Sequence, residues 1–292
     1  MKIGYSTNSL GDVDLREALF VLCDQGYESL AITPDQHLLN PYSKTFVLEI
    51  NDWQRALAKA QMRCVVETGA RYLLDSKRKH HPTLLSSTPN ERNRRIDFLR
   101  KAIDLAEGLE ADCVSLWSGA VNSDDDQDVL WRKLMDGIGE VLDYATKRGV
   151  VLGFEPEPGM FVDTVARAEE LLKRLNQPKC LGLTIDIGHL ECLGERPLHE
   201  TMRLVSDRIV NVHIDDMRVC RHEHLPLGKG DIDFIPVLHE LFTVGYHGGL
   251  HVELPRQSHR WHATAKESYD FIHNAMSVVS QSGSSMLQSH SK

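Results

Sequence analysis

Residues 181–189 read LGLTIDIGH, a short run of apolar and β-branched residues that ends on Asp186, with His189 three places on. So short an apolar run fits a strand buried on both faces, as in a parallel sheet. Three other stretches repeat the design: VVLGFEPEPG (150–159), IVNVHIDD (209–216) and GLHVELPR (249–256). Their apolar parts end on Glu155, His213 and Glu253.

Upstream, similar runs begin at Lys2 (KIGYS), Glu28 (ESLAI), Arg63 (RCVVE) and Asp112 (DCVSLW), which makes eight. Segments with helical apolar spacing lie between most of them. Thr88-Pro89-Asn90-Glu91 supplies a cap, a first-turn proline and a Glu three residues after the Thr, ahead of Ile96, Leu99, Ile103 and Ala106. Leu130, Leu134, Ile138, Val141 and Ala145 form a second stripe, stopped by Gly149. Asp233 is placed to cap a later helix, and Ala265, Tyr269, Ile272 and Ala275 mark the last one.

Eight consecutive βα units predict an α/β chain closed into a single-domain (β/α)8 barrel over residues 1–280. Residues 281–292 belong to a small, polar tail expected to be disordered. The segment DSKRKHHPTLLSSTP (75–89) reads as a polar insertion after the third strand, of the kind that roofs active sites.

Composition narrows the function. The 292 residues are 41% hydrophobic and 26% charged, enough for one large core. A net charge of −9 repels a polyanion, so nucleic acid is not the expected partner. No apolar stretch reaches the roughly 20 residues that span a bilayer, and the start MKIGYSTNSL lacks a signal peptide's apolar region, so a cytoplasmic location is expected. Six cysteines without CxxC spacing read as free thiols. A homo-oligomer is compatible with all of this.

In a parallel barrel all strand C-termini lie on one face, so Glu155, Asp186, His213 and Glu253 converge despite their spacing. A lone strand-end acid is more often a helix cap, and a lone histidine is more often an interior one. Four at successive strand ends resist that explanation. Three carboxylates in an enclosed mouth repel one another unless a cation joins them. One imidazole with three carboxylates is a hard, oxygen-rich set, which suits Mn2+ first, with Mg2+, Co2+ or Zn2+ also compatible.

FEPEP, IDIGH, HIDD and HVEL resemble the strand-end signatures of the xylose isomerase-like TIM-barrel superfamily, which holds sugar isomerases and epimerases, inosose dehydratases and the family-two apurinic endonucleases. The resemblance implies a divalent metal on Glu155, Asp186, His213 and Glu253, with His189 acting on substrate or a further metal. It also implies a keto-sugar or polyol-derived substrate, a metal-stabilised enediolate, and Glu155 and Glu253 as the groups that remove and return the proton. His224, in HEHLPLGKGDIDF, resembles the superfamily's histidine after strand seven, a substrate contact or second-metal ligand.

Other residues are placed less specifically. Arg218 could bind a substrate hydroxyl or charged tail, or form a surface salt bridge. Glu67 should face the mouth, to bond substrate hydroxyls or pair with Arg71, and Trp117 should serve as a sugar-stacking surface or a packing wall. His259 and Arg260 could reach an anionic group. The endonucleases need extra histidines at early strand ends, and only His37 stands out as an early candidate here. A metal-dependent isomerase or epimerase is therefore expected, ahead of a dehydratase, a non-catalytic metal-binding barrel and, last, a phosphodiesterase.

Overall fold

All eight runs form strands in the expected order in a computed structural model that describes residues 1–11, 13–121 and 124–289, with side chains followed to residue 281. These are β1 (Lys2–Ser6), β2 (Ser29–Ile32), β3 (Arg63–Glu67), β4 (Val114–Leu116), β5 (Leu152–Phe154), β6 (Leu181–Asp186) and β7 (Ile209–Ile214), with β10 (Gly249–Val252) as the eighth. A hairpin of β8 (Asp216–Arg218) and β9 (Arg221–Leu225) interrupts the sequence between β7 and β10. Every barrel strand pairs in parallel with its neighbours, and β10 pairs with β1 to close the (β/α)8 barrel.

The helices are α1 (Leu15–Asp24), α2 (Phe46–Ala60), α3 (Pro89–Leu109), α4 (Gln127–Arg148), α5 (Val165–Arg174), α6 (Ile187–Leu193), α7 (Leu198–Leu204), α8 (Phe234–Thr243) and α9 (Trp261–Ser289). Their ends follow the sequence signals. Thr88 accepts from the Glu91 amide at the start of α3, Gly149 ends α4 at φ +67°, and the Asp233 carboxylate caps α8. Among the described residues no helix is long and apolar enough to cross a membrane.

Strand alternation and register place the polar interior. On β7, Asn211 and His213 lie two apart and so share a face; Asn211 pairs in register with Thr184 and His213 with Asp186 of β6. His251 of β10 pairs with His213, and Glu253 lies two residues beyond it. Leucine and valine would normally fill such layers. Here the upper ones are ionisable, and all six cysteines are free.

One expectation changes. The insertion after β3 is not all roof: Thr83, Leu84 and Leu85 are buried, and Leu84 packs where a side chain at Gly137 of α4 would stand. The last helix, α9, runs to Ser289, and residues 290–292 of the expected tail lie outside the described residues.

Candidate functional site

The four strand-end residues meet around one nitrogen. His213 Nδ1 lies 3.1 Å from Glu253 Oε2, 3.3 Å from Glu155 Oε1 and 3.9 Å from Asp186 Oδ2. Backbone pairing holds the two glutamates just past their strands: the Glu155 amide donates to the Leu116 carbonyl (2.8 Å) and the Glu253 amide to that of Ile214 (3.3 Å). Asp186 is both the last residue of β6 and the cap of α6, where its Oδ1 accepts from the His189 amide at 3.0 Å.

A divalent ion fits this set. Donor atoms of Glu155, Asp186 and His213 all lie within 4.8 Å of one another. His213 Nδ1 and Asp186 Oδ2 are buried without a hydrogen-bond partner, and buried polar atoms are rarely left so. Elsewhere the carboxylates are held: Asn8 Nδ2 donates to Glu253 Oε1 (2.8 Å) and Ser115 Oγ to Glu155 Oε2 (3.4 Å).

Without an ion, a proton does part of the cation's work. Burial opposes charge on His213, yet Glu67, Glu155 and Glu253 raise its pKa well above the usual imidazole value. Burial pushes Glu155 up to about 7, aided by Glu67 and Glu253 against the pull of His213. Glu253 is held well below the usual range despite burial, because His213 and His224 face it and Asn8 donates to it.

Beneath the four lies a buried polar chain. Glu67 Oε1 sits 2.9 Å from His213 Nε2 and accepts from Asn211 Nδ2 at 3.2 Å. Asn211 Oδ1 is 2.9 Å from His251 Nδ1, and His251 Nε2 is 2.9 Å from Ser29 Oγ. The His251 ring occupies space left by Gly4 and Gly249. Glu67 therefore does more than the sequence reading assigned. It lines the cavity and fixes the His213 ring, directing Nδ1 at Glu155, Asp186 and Glu253. Arg71 approaches Asp35 instead of Glu67, at 3.6 Å.

On the β6–β7 side a histidine group adjoins the four. His189 Nε2 is 3.6 Å from Asp186 Oδ2 and 3.2 Å from His222 Nε2. His224 bonds to Asp215, which raises its pKa to about 10 against the cost of burial. His189 is driven down to about 4, chiefly by burial. Donor atoms of His189, His222 and His224 fall within 4.8 Å, as do those of Asp186, Asp215 and His224. The sequence reading missed His222; only its HxH spacing with His224 signalled it.

Glu67, Glu155, His213 and Glu253, with His189, His222 and His224, line a cavity of about 440 Å³. Trp117 forms one wall, with the Arg95 guanidinium 4.5 Å over its ring and His80 edge-on at 5.9 Å. Glu157 and His80, both passed over in the sequence, also line it. Burial and the nearby Glu155 and Glu253 push Glu157 up to about 8.

Arg218 is not brought to this cavity. Its guanidinium bonds to Glu223 Oε1 (3.0 Å) and the Lys229 carbonyl (2.8 Å), tying the β8–β9 hairpin together. Arg260 pairs with Glu267 at 2.7 Å, and neither it nor His259 lines the cavity. His37 lines an adjoining cavity.

The family described as "Xylose isomerase-like TIM barrel" matches residues 22–275. The Methanocaldococcus jannaschii protein MJ1311 is 26% identical over 270 residues, covering 87% of this chain and 83% of its own. L-ribulose-5-phosphate 3-epimerase UlaE of Shigella flexneri serotype 5b is 26% identical over 218 residues, 74% of each chain. Among solved structures, an L-ribulose 3-epimerase superposes with a TM-score of 0.77 at 18% identity, covering 98% of this chain and 97% of that one. A D-tagatose 3-epimerase-like protein gives 0.76 at 21% identity, with 97% and 99% covered. At those identities the structural likeness speaks for the fold alone.

Proposed function

The chain belongs to the xylose isomerase-like TIM-barrel family, and from that premise we propose that it is a divalent-metal-dependent epimerase or isomerase of keto-sugars. The observation that carries the reading is the convergence of Glu155, Asp186 and Glu253 on the unpartnered Nδ1 of His213. The similarity to UlaE supports the sugar class. Glu155, Asp186, His213 and Glu253 would hold the ion, with Mn2+ first for so hard a donor set. When bound, the ion supplies Lewis acidity that lowers the cost of negative charge developing beside a carbonyl.

Glu155 and Glu253 approach His213 Nδ1 to 3.3 and 3.1 Å, and both line the cavity. One takes the proton from the carbon next to the carbonyl, and the other returns one to the opposite face. Both carboxylates border the reacting space, so which one abstracts and which one returns the proton is set by the configuration of the substrate. His189, His224 and Glu157 border the same space and are proposed to bond substrate oxygens. Trp117 forms one wall of it.

The test is to incubate the Mn2+-loaded chain with a ketose panel in D2O. Deuterium at the carbon beside the carbonyl, with an epimeric or isomeric product of otherwise unchanged mass, is expected; loss of water would instead mark a dehydratase. Glu155→Gln and Glu253→Gln variants should keep the ion and lose turnover by about 100-fold or more. Variants that bind Mn2+ and react at full rate would sink the acid/base assignment.

A further inference from the structure

The cavity holds four acidic side chains that a sugar site explains, and three cations that a neutral sugar does not require. Arg71, Lys79 and Arg256 line it together. Arg71 follows β3, Lys79 comes from the insertion after β3, and Arg256 follows β10. In the barrel β10 adjoins β1, β1 adjoins β2 and β2 adjoins β3. Arg71 and Lys79 thus stand on one side of β1–β2 and Arg256 on the other, and Arg256 is near enough to His222 to help lower its pKa.

Surface lysines and arginines are usually just solvated, so the placement of these three decides the matter. Among the described residues Lys79 and Arg256 form no ion pair, and Arg71 has only the 3.6 Å approach to Asp35. Arg71 is held by unusual backbone: Ala70 and Arg71 sit at φ +58° and +34°, a left-handed pair that residues with a Cβ adopt at a cost. The His80 amide closes the turn on the Arg71 carbonyl at 2.6 Å, and the His80 ring bonds to the Gly69 carbonyl. That same closure carries Lys79 to the cavity. Arg71 Nη1 then lies 3.2 Å from where a Cβ on Gly11 would stand, so the glycine leaves the guanidinium its place.

Arg71 also borders a second cavity of about 390 Å³, which shares Asn8, Gly11 and Thr33 with the first. Space continues past the cations. A ketose held at the four-ligand centre by its carbonyl end has room to extend its other end to them.

Resting on the keto-sugar reading above, we infer that Arg71, Lys79 and Arg256 form an anion subsite, and that the substrate carries a phosphate ester or a carboxylate remote from its reacting carbon. Guanidinium and ammonium groups are suited to such oxyanions through charge-assisted hydrogen bonds.

The experiment compares the Mn2+-loaded full chain on matched ketopentoses, their 5-phosphates and ketohexuronates. An anionic series should be preferred by about tenfold or more in kcat/KM, and its identity distinguishes phosphate from carboxylate. A Lys79→Gln/Arg256→Gln double variant should lower the anionic-to-neutral ratio by about tenfold or more. Equal use of neutral and anionic ketoses, or an unchanged ratio in the double variant, overturns the inference while leaving the epimerase reading intact. If no ketose reacts, that reading fails, and the subsite is still tested by calorimetric titration with inorganic phosphate. Weaker phosphate binding in the double variant supports the subsite; equal binding in both proteins overturns it. Both positions are exposed, and circular dichroism of the variant verifies the fold.

Discussion

Replacing Glu67 separates two roles that a carboxylate in this cavity could play. Its Oε1 receives His213 Nε2 at 2.9 Å and Asn211 Nδ2 at 3.2 Å, and both donors belong to buried side chains. Glu67→Ala strands two donors, each at about 1–3 kcal/mol, partly offset by water entering from the cavity. It also frees the His213 ring to turn. Loss of a carboxylate behind a ligating histidine typically costs about 10–100-fold in metal affinity, or roughly 1.4–2.7 kcal/mol. Glu67→Gln keeps an acceptor oxygen without the charge and should lose less, about tenfold. Calorimetric titration of the ion-free chain with Mn2+, beside a thermal melt, measures both effects. If Glu67→Ala binds Mn2+ as tightly as the parent while KM rises, Glu67 is a substrate contact and the orienting argument is wrong.

Three further outcomes follow from the geometry. His213 and Glu155 are shifted upward in the ion-free protein, so loading an ion must expel protons: apparent Mn2+ affinity should rise with pH by up to about tenfold per unit for each proton displaced, read by calorimetry in buffers of different ionisation enthalpy. His251 is buried and lowered to about 3, below its unfolded value of 6.5, so the stability it contributes is present above pH 6.5 and is lost as pH falls through that value toward 3; urea midpoints of the ion-free chain should drop across this window, and His251→Gln should flatten the slope. A Cβ on Gly182 would stand 2.5 Å from the Arg208 carbonyl and from Val210 Cγ1, so Gly182→Ala should cost about 1–3 kcal/mol in urea unfolding, whereas Gly139→Ala, with nothing within 4 Å, should not destabilise.

The barrel was legible because β6, with its unbroken LGLTID, and its seven counterparts are short, apolar and separated by capped helices. The convergence of Glu155, Asp186, His213 and Glu253 was legible for the same reason: a strand end fixes where a side chain goes, whatever the distance in sequence. The β8–β9 hairpin was not, since DMR and RHEHL carry charge on both faces and no apolar alternation. His222 was hidden with it. Arg218 had the right spacing from β7, but spacing does not show that Glu223, five residues on, would engage its guanidinium. Glu67 stood at a strand end like the others, yet its bond to His213 depends on barrel closure, which brings together residues 146 positions apart. His80 reaches the cavity only through the left-handed turn at Ala70 and Arg71, which no local pattern announced.

Asp186 gives one oxygen to the first turn of α6 and leaves the other facing His213. The joint between strand and helix thus also supplies one of the groups that face His213. An Asp186→Ala protein would lose the cap along with the group facing His213, and so would differ from its parent in architecture as well as chemistry. Comparisons built on it would confound the two, and an inactive reference for this barrel is better made at Glu253, whose bond to Asn8 lies outside any helix cap.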